Sequence, residues 1–158
     1  MALTKLNSAS VIERLPTGSV IQTIEAQSSS SNTQPSTSFA DVNGTSISIT
    51  PSSTSNKILL MWNCGGMSNG NNSSISIKVF RGSTVVRYIP RYGYSTNGWE
   101  SCPLSIQYLD EPSTTSSLTY KLQARTDHDG DFRFNDIRSG SDEANTDSMV
   151  VVAMEIKG

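Results

Sequence analysis

The sharpest local motif in the chain is Asp127-His128-Asp129-Gly130-Asp131. D-x-D-G-D sets oxygen ligands on alternate residues around a turn that glycine permits, as calcium loops do. Asp127, Asp129 and Asp131 are therefore a candidate weak Ca2+ site, which Asp142, Glu143 and Asp147 would complete if the two loops meet. The bidentate Glu that closes an EF-hand loop is missing, and a polar hairpin tip needs Asp-Gly for backbone reasons alone. A plain turn is the first expectation, with no cofactor.

A second constellation is Tyr88-Ile-Pro-Arg91-Tyr92-Gly-Tyr94-Ser-Thr-Asn-Gly-Trp99. Aromatic rings with a polar handle and an arginine are enriched where proteins touch partners, and they stack on sugar rings. Tyr88, Arg91, Tyr92, Tyr94 and Trp99 are read as a contact loop. Three roles compete for it: an interface with sister copies or neighbouring proteins, a contact with a glycan or protein receptor, and packing on its own domain.

Catalytic chemistry finds little support. His128 is the only histidine, and no Gly-x-Ser-x-Gly elbow or ordered triad is present. Asp110-Glu111 and Asp142-Glu143 are adjacent pairs, and neighbours on a strand face opposite sides, so neither can flank a glycosidic bond. The expectation is a protein that is not an enzyme. Cys64 and Cys102 form no CxxC; they are expected as reduced, buried thiols on neighbouring strands, with a disulfide as the alternative.

The elements that must hold these residues are strands. Charged residues make up only 16% of the chain against a typical ~25%, and Ser and Thr together supply roughly a quarter. Hydroxyls must therefore dress the surface. A net charge of −2 gives no footprint for nucleic acid, whose phosphates call for clustered Lys and Arg. The N-terminus lacks an apolar h-region and no stretch approaches the ~20 apolar residues of a membrane span. The expectation is assembly in a cytoplasm, with no membrane insertion.

Residues 1–17 read as an arm: Ser10-Val-Ile-Glu13 matches a capping box and opens at most one helical turn before Leu15-Pro16 ends it. Leu3, Leu6, Val11, Ile12 and Leu15 are its apolar anchors. From residue 18 to 158 the chain reads as one domain of eight to ten short strands. Val20 to Ile24 opens it, and a polar loop from Gln27 to Ser38 follows. Asn43-Gly44 signals a type I′ turn. Ser46-Ile-Ser-Ile-Thr alternates strictly, and Lys57 to Asn63 is apolar enough to be central and covered on both faces. Gly65 to Asn72 reads as a long loop and Pro90 to Ser101 as another. Leu118, Tyr120, Leu122 and Ala124 share one face, and Tyr120 is a candidate lining of a trimer axis. Phe132 and Phe134 point one way, and Met149 to Ile156 closes the domain as a central strand. First and last strands are both apolar enough to lie side by side, which demands Greek-key wiring. An all-β antiparallel sandwich of jelly-roll type is predicted.

Taken together, Ile49-Thr-Pro-Ser-Ser-Thr-Ser-Asn-Lys57, Pro112-Ser-Thr-Thr-Ser-Ser-Leu-Thr-Tyr-Lys-Leu-Gln-Ala-Arg125 and Met149-Val-Val-Val-Ala-Met-Glu-Ile156 resemble small virion proteins of tailed bacteriophages, particularly those of aquatic and cyanobacterial hosts. The resemblance spans about residues 18–158. In layout the chain is also similar to the jelly roll of the tumour necrosis factor and C1q superfamily, which implies a compact homotrimer. The expected role is a fibre, knob or capsid decoration, attached by the arm to capsid, neck or tail. The alternative is a module that binds a host surface glycan or protein.

Overall fold

Where every second residue is apolar, a strand acquires one face that must leave water, and most of this chain is built that way. The structure is a computed structural model; it describes residues 12, 14–30, 32–34, 36–70, 73–96, 99–101, 103–127, 130–135 and 149–158, with backbone alone at 34, 66–70, 95, 99–101 and 130. All strand pairs are antiparallel. The front sheet has the order β1 (Val20–Ser28), β13 (Met149–Ile156), β5 (Lys57–Cys64), β10 (Leu104–Asp110). The back sheet has the order β3 (Ala40–Asp41), β11 (Leu118–Thr126), β7 (Ser73–Arg81), β8 (Thr84–Ser95), and β4 (Ile47–Ile49) also pairs with β11. A third, small sheet joins β2 (Asn32–Gln34), β12 (Gly130–Phe134), β6 (Gly66–Gly70) and β9 (Trp99–Ser101).

Front and back sheets pack into an antiparallel sandwich, as the alternation predicts. Ile58, Leu60, Trp62, Met149, Val151 and Ala153 meet Ile47, Ile49, Ile77, Val79, Leu122 and Ala124 in a core closed to solvent. The first and last strands do lie side by side, from Val20 opposite Ile156 to Ser28 opposite Met149. The chain changes layer repeatedly: front at β1, back at β3 and β4, front at β5, back at β7 and β8, front at β10, back at β11, front at β13.

Four sequence expectations need correction. β5 is central but covered on one face only: Ile58, Leu60 and Trp62 are buried, whereas Leu59 and Met61 point outward and are partly exposed. The stretches read as loops at 65–72 and 90–101 carry β6, the second half of β8 and β9, because Gly and Asn at strand edges masked their pairing potential. The polar run 27–38 is not all loop either. It contains β2, whose Asn32 is buried and clasps both backbone groups of Asn43.

The fourth correction concerns Asn43-Gly44. A type I′ turn needs positive φ at both central residues, and here only Gly44 has it, at 78°. The turn links β3 to β4, two pieces that both pair with β11, rather than a hairpin. Thr45 locks it: its hydroxyl donates to the Val42 carbonyl and accepts the Leu122 N–H, and its carbonyl accepts Trp62 Nε1–H at 2.8 Å. A Cβ on Gly44 would sit 2.5 Å from Ser28 Cβ, while one on Gly82, also at positive φ, would meet nothing within 4 Å. Gly82→Ala therefore costs dihedral strain alone, about 1 kcal/mol. Gly44→Ala adds a collision with β1 and costs about 2–4 kcal/mol. Urea unfolding of the two variants should rank them in that order.

Candidate functional site

β8 holds most of the predicted contact residues, and its irregularity decides which of them face solvent. Between Ile89 and Gly93 it carries two more residues than its partner β7, a bulge with Arg91 at φ 50°. Bulges re-aim side chains. Tyr92 is turned toward the front sheet, where its hydroxyl accepts the Ser105 N–H at 2.5 Å and lies 3.0 Å from the Pro103 carbonyl. Five residues earlier, Arg87 donates to the Gln107 carbonyl at 2.6 Å. Both cap the open edge of β10, so Tyr92 works as a structural pin. Tyr88 and Tyr94 are the outward pair, 47% and 53% exposed, with Arg91 exposed beside them. Trp99 lies on β9 opposite Asn69, and its side chain is outside the described residues.

The outer face of the back sheet also assembles residues that periodicity did not single out. Lys78 stands opposite Tyr88 and Arg125 opposite Ser76 in the ladder, and Phe39 lies across both cations. Lys78 Nζ is 4.0 Å and Arg125 Cζ 5.1 Å from the Phe39 ring centre, with Tyr88 edge-on to the same ring at 6.2 Å. Outward Lys78 and Arg125 follow from alternation along their strands. Phe39, set in a polar run, gave no period to read. Farther along the face Lys121 pairs with Asp41 at 2.7 Å and holds that carboxyl below its usual range. A recess of about 470 Å3 opens there, lined by Asp41, Lys121, Thr119, Gly82 and the 42–46 turn.

Tyr120 does not line an axis. It is fully buried inside its own sandwich, where its hydroxyl donates to Asp110 Oδ2 at 2.6 Å. Arg81 reaches the same oxygen at 2.9 Å, so a partly buried ion pair joins β10 of the front sheet to β7 and, through Tyr120, to β11 of the back. Burial, then the bond to Asp110, pushes the Tyr120 hydroxyl well above its usual range. Glu111, the next residue, faces the other way and pairs with Lys57 at 2.6 Å.

Among the described residues Glu155 is the other buried carboxylate. Gln22, the Ser52 N–H and hydroxyl, and Asn56 all donate to it at 2.6–2.8 Å. Burial opposes its ionisation, yet these donors together outweigh burial and hold the carboxyl below its usual range. Beyond it, Lys157 Nζ donates to the carbonyls of Ile12 and Leu15 and closes the junction between arm and domain. Ile12 and Arg14 carry helical backbone there, and Ile12 and Leu15 are half-buried on their own chain. Leu3, Leu6 and Val11 lie outside the described residues.

Of the D-x-D-G-D motif, Asp127 accepts from the Ser74 hydroxyl and pairs with Arg125 at 3.5 Å, and Asp131 pairs with Arg133 at 3.9 Å. Asp129, His128, Asp142, Glu143 and Asp147 lie outside the described residues. Among the described residues no group of three His, Cys, Asp or Glu gathers to hold a metal. Cys64 is a free buried thiol pushed by burial up to about 11, and Cys102 lies outside the described residues. Comparison with models of known protein families finds no match, and comparison with curated proteins finds none either.

These groups set a pH dependence. The Cys64 thiol holds its proton to about 11 when folded and to 9.0 when free. The unfolded chain ionises first, so this contribution is complete below pH 9 and falls by about 2 kcal/mol as pH rises to 11. Tyr120 acts in the same direction. Glu155 acts at the acid end: its contribution is present above the ordinary glutamate range of ~4.3 and is lost as pH falls below it. Chemical unfolding followed from pH 3 to 11 should show both limbs, with Cys64→Ala flattening the alkaline one and Glu155→Gln the acid one.

Proposed function

We propose that this protein is a structural component of a tailed-bacteriophage particle: a homotrimeric jelly roll that forms a fibre knob or capsid decoration and is attached to capsid, neck or tail through its N-terminal arm. The layer-changing strand order, β1-β13-β5-β10 over β3-β11-β7-β8, supports the jelly-roll reading. The resemblance of the phrases at 49–57, 112–125 and 149–156 to phage virion proteins is what motivates the location.

One observation carries the assembly: the outer face of the front sheet is apolar. Across its centre run the rows Met154-Leu59-Leu109 and Val152-Met61, with Val150 and Ile156 beyond them on β13. Leu109 is 48% exposed, and no described strand lies over this face. On strands ~4.8 Å apart with outward residues ~6.8 Å apart each residue covers about 33 Å2, so these seven give an apolar centre of about 230 Å2. A rim of Thr23, Glu25, Gln27, Lys57, Asn63 and Gln107 surrounds it and can extend it toward the ~800 Å2 per partner of a standard interface. Sister copies are the occupants that a particle supplies at fixed stoichiometry.

A second reading, adsorption to the host surface, is favoured by the exposure of Tyr88 and Tyr94 on the opposite layer. The two roles use different faces and are compatible.

Light scattering on the purified protein at micromolar concentration should report three copies, and Val152→Glu should shift it to monomer with the fold retained by circular dichroism. A monomeric wild type, or a Val152→Glu trimer, rules out this interface. Antibody labelling of purified particles tests the location: an unlabelled particle rules out the virion role whatever the oligomer.

A further inference from the structure

We propose that the outer face of the back sheet is a binding site for acidic saccharides, with the sugar carboxylate seated between Lys78 and Arg125 and the ring stacked on Tyr88. The inference rests on the adsorption reading only for its biological setting.

Charge is the first argument. The chain is acidic overall, at −2, yet two cations converge on one phenylalanine ring, at 4.0 Å and 5.1 Å from its centre. Lys78 has no carboxylate in ion-pair range among the described residues, and Arg125 shares a single one, Asp127, at 3.5 Å. The buried Nε of Arg125 has no hydrogen-bond partner among the described residues. Like charges held together by a shared ring attract an anion placed between them.

Shape and surface chemistry favour a sugar. Tyr88 stands directly opposite Lys78 across the ladder, which sets its ring beside the cation at cross-strand distance, ~5 Å between Cβ atoms. It is 47% exposed, so a pyranose C–H face can stack on it while the ring carboxylate reaches the cations. The face is flat and polar rather than a greasy groove, and so suits an extended polysaccharide better than an apolar peptide.

Calorimetric titration of the full chain with a galacturonate tetramer, at low and at physiological salt, tests this against maltotetraose, its uncharged counterpart. The acidic oligomer should bind, more weakly at higher salt, and at least tenfold more tightly than the neutral one. Lys78→Gln and Tyr88→Ala, on different strands, should each weaken it about tenfold with thermal unfolding unchanged. No heat with galacturonate, equal binding of maltotetraose, or retention of affinity in Tyr88→Ala overturns the proposal. Dextran sulfate bound equally by wild type and Tyr88→Ala would reduce the face to a nonspecific anion patch and overturns it too. Should particles carrying Tyr88→Ala adsorb normally although the purified variant has lost the saccharide, the adsorption reading falls and this site stands.

Discussion

The architecture depends on β13 being inserted between β1 and β5. Its hydrogen bonds join the start of the domain, the middle and the end in one sheet, and both neighbours are in register along nearly its whole length. Its inward residues Met149, Val151 and Ala153 fill the sandwich, and its outward residues Val150, Val152 and Met154 make the apolar outer face. One strand thus serves two hydrophobic tasks. Because the side-chain period is two, a slip of one residue would exchange the two faces and place Glu155 among outward aliphatics. The donors gathered around Glu155 fix the register: its carboxylate finds Gln22, Ser52 and Asn56 only in the observed pairing.

Polar contacts elsewhere also tie layers together. Asp110, Arg81 and Tyr120 bridge front and back sheets through one carboxylate, whose burial is tolerated because a cation and a hydroxyl both serve it. Arg87 and Tyr92 close the β10 edge, which would otherwise offer its backbone to a foreign strand. Sandwich edges are hazards, and here they are blocked by long side chains reaching from the opposite layer. The exposed aromatics Tyr88 and Tyr94 are left on the outer side of β8.

Much of the fold was legible in the alternation. Ile75-Ile77-Val79 and Tyr120-Leu122-Ala124 turned inward as their spacing required, and the pairing of first with last strand followed from their shared apolarity. Phe132 and Phe134 are buried side by side, 4.9 Å apart. What misled was composition: Gly66, Asn69 and Gly70 look like loop residues, and only their partners on β12 and β9 make them a strand. The contact residues were half legible. A string of aromatics shows that a surface exists, but only the bulge at Arg91 separates Tyr92, which pins the edge, from Tyr88 and Tyr94, which face out. Tyr120 illustrates the converse: alternation put it on the core face, and its tie to Asp110, ten residues earlier on the other sheet, leaves no part of it for a neighbour.

The position of β13 also sets a timetable for synthesis. Until residue 156 has cleared the ribosome, β1 and β5 have no strand between them, and the nascent chain must wait with both flanks open. Long-range closure of this kind is slow and exposes sticky surface meanwhile. A message cut short even slightly upstream of Met149 would yield a polypeptide with seventeen of the twenty buried apolar residues among those described and no means of shutting the front layer, a natural client for chaperones and proteases.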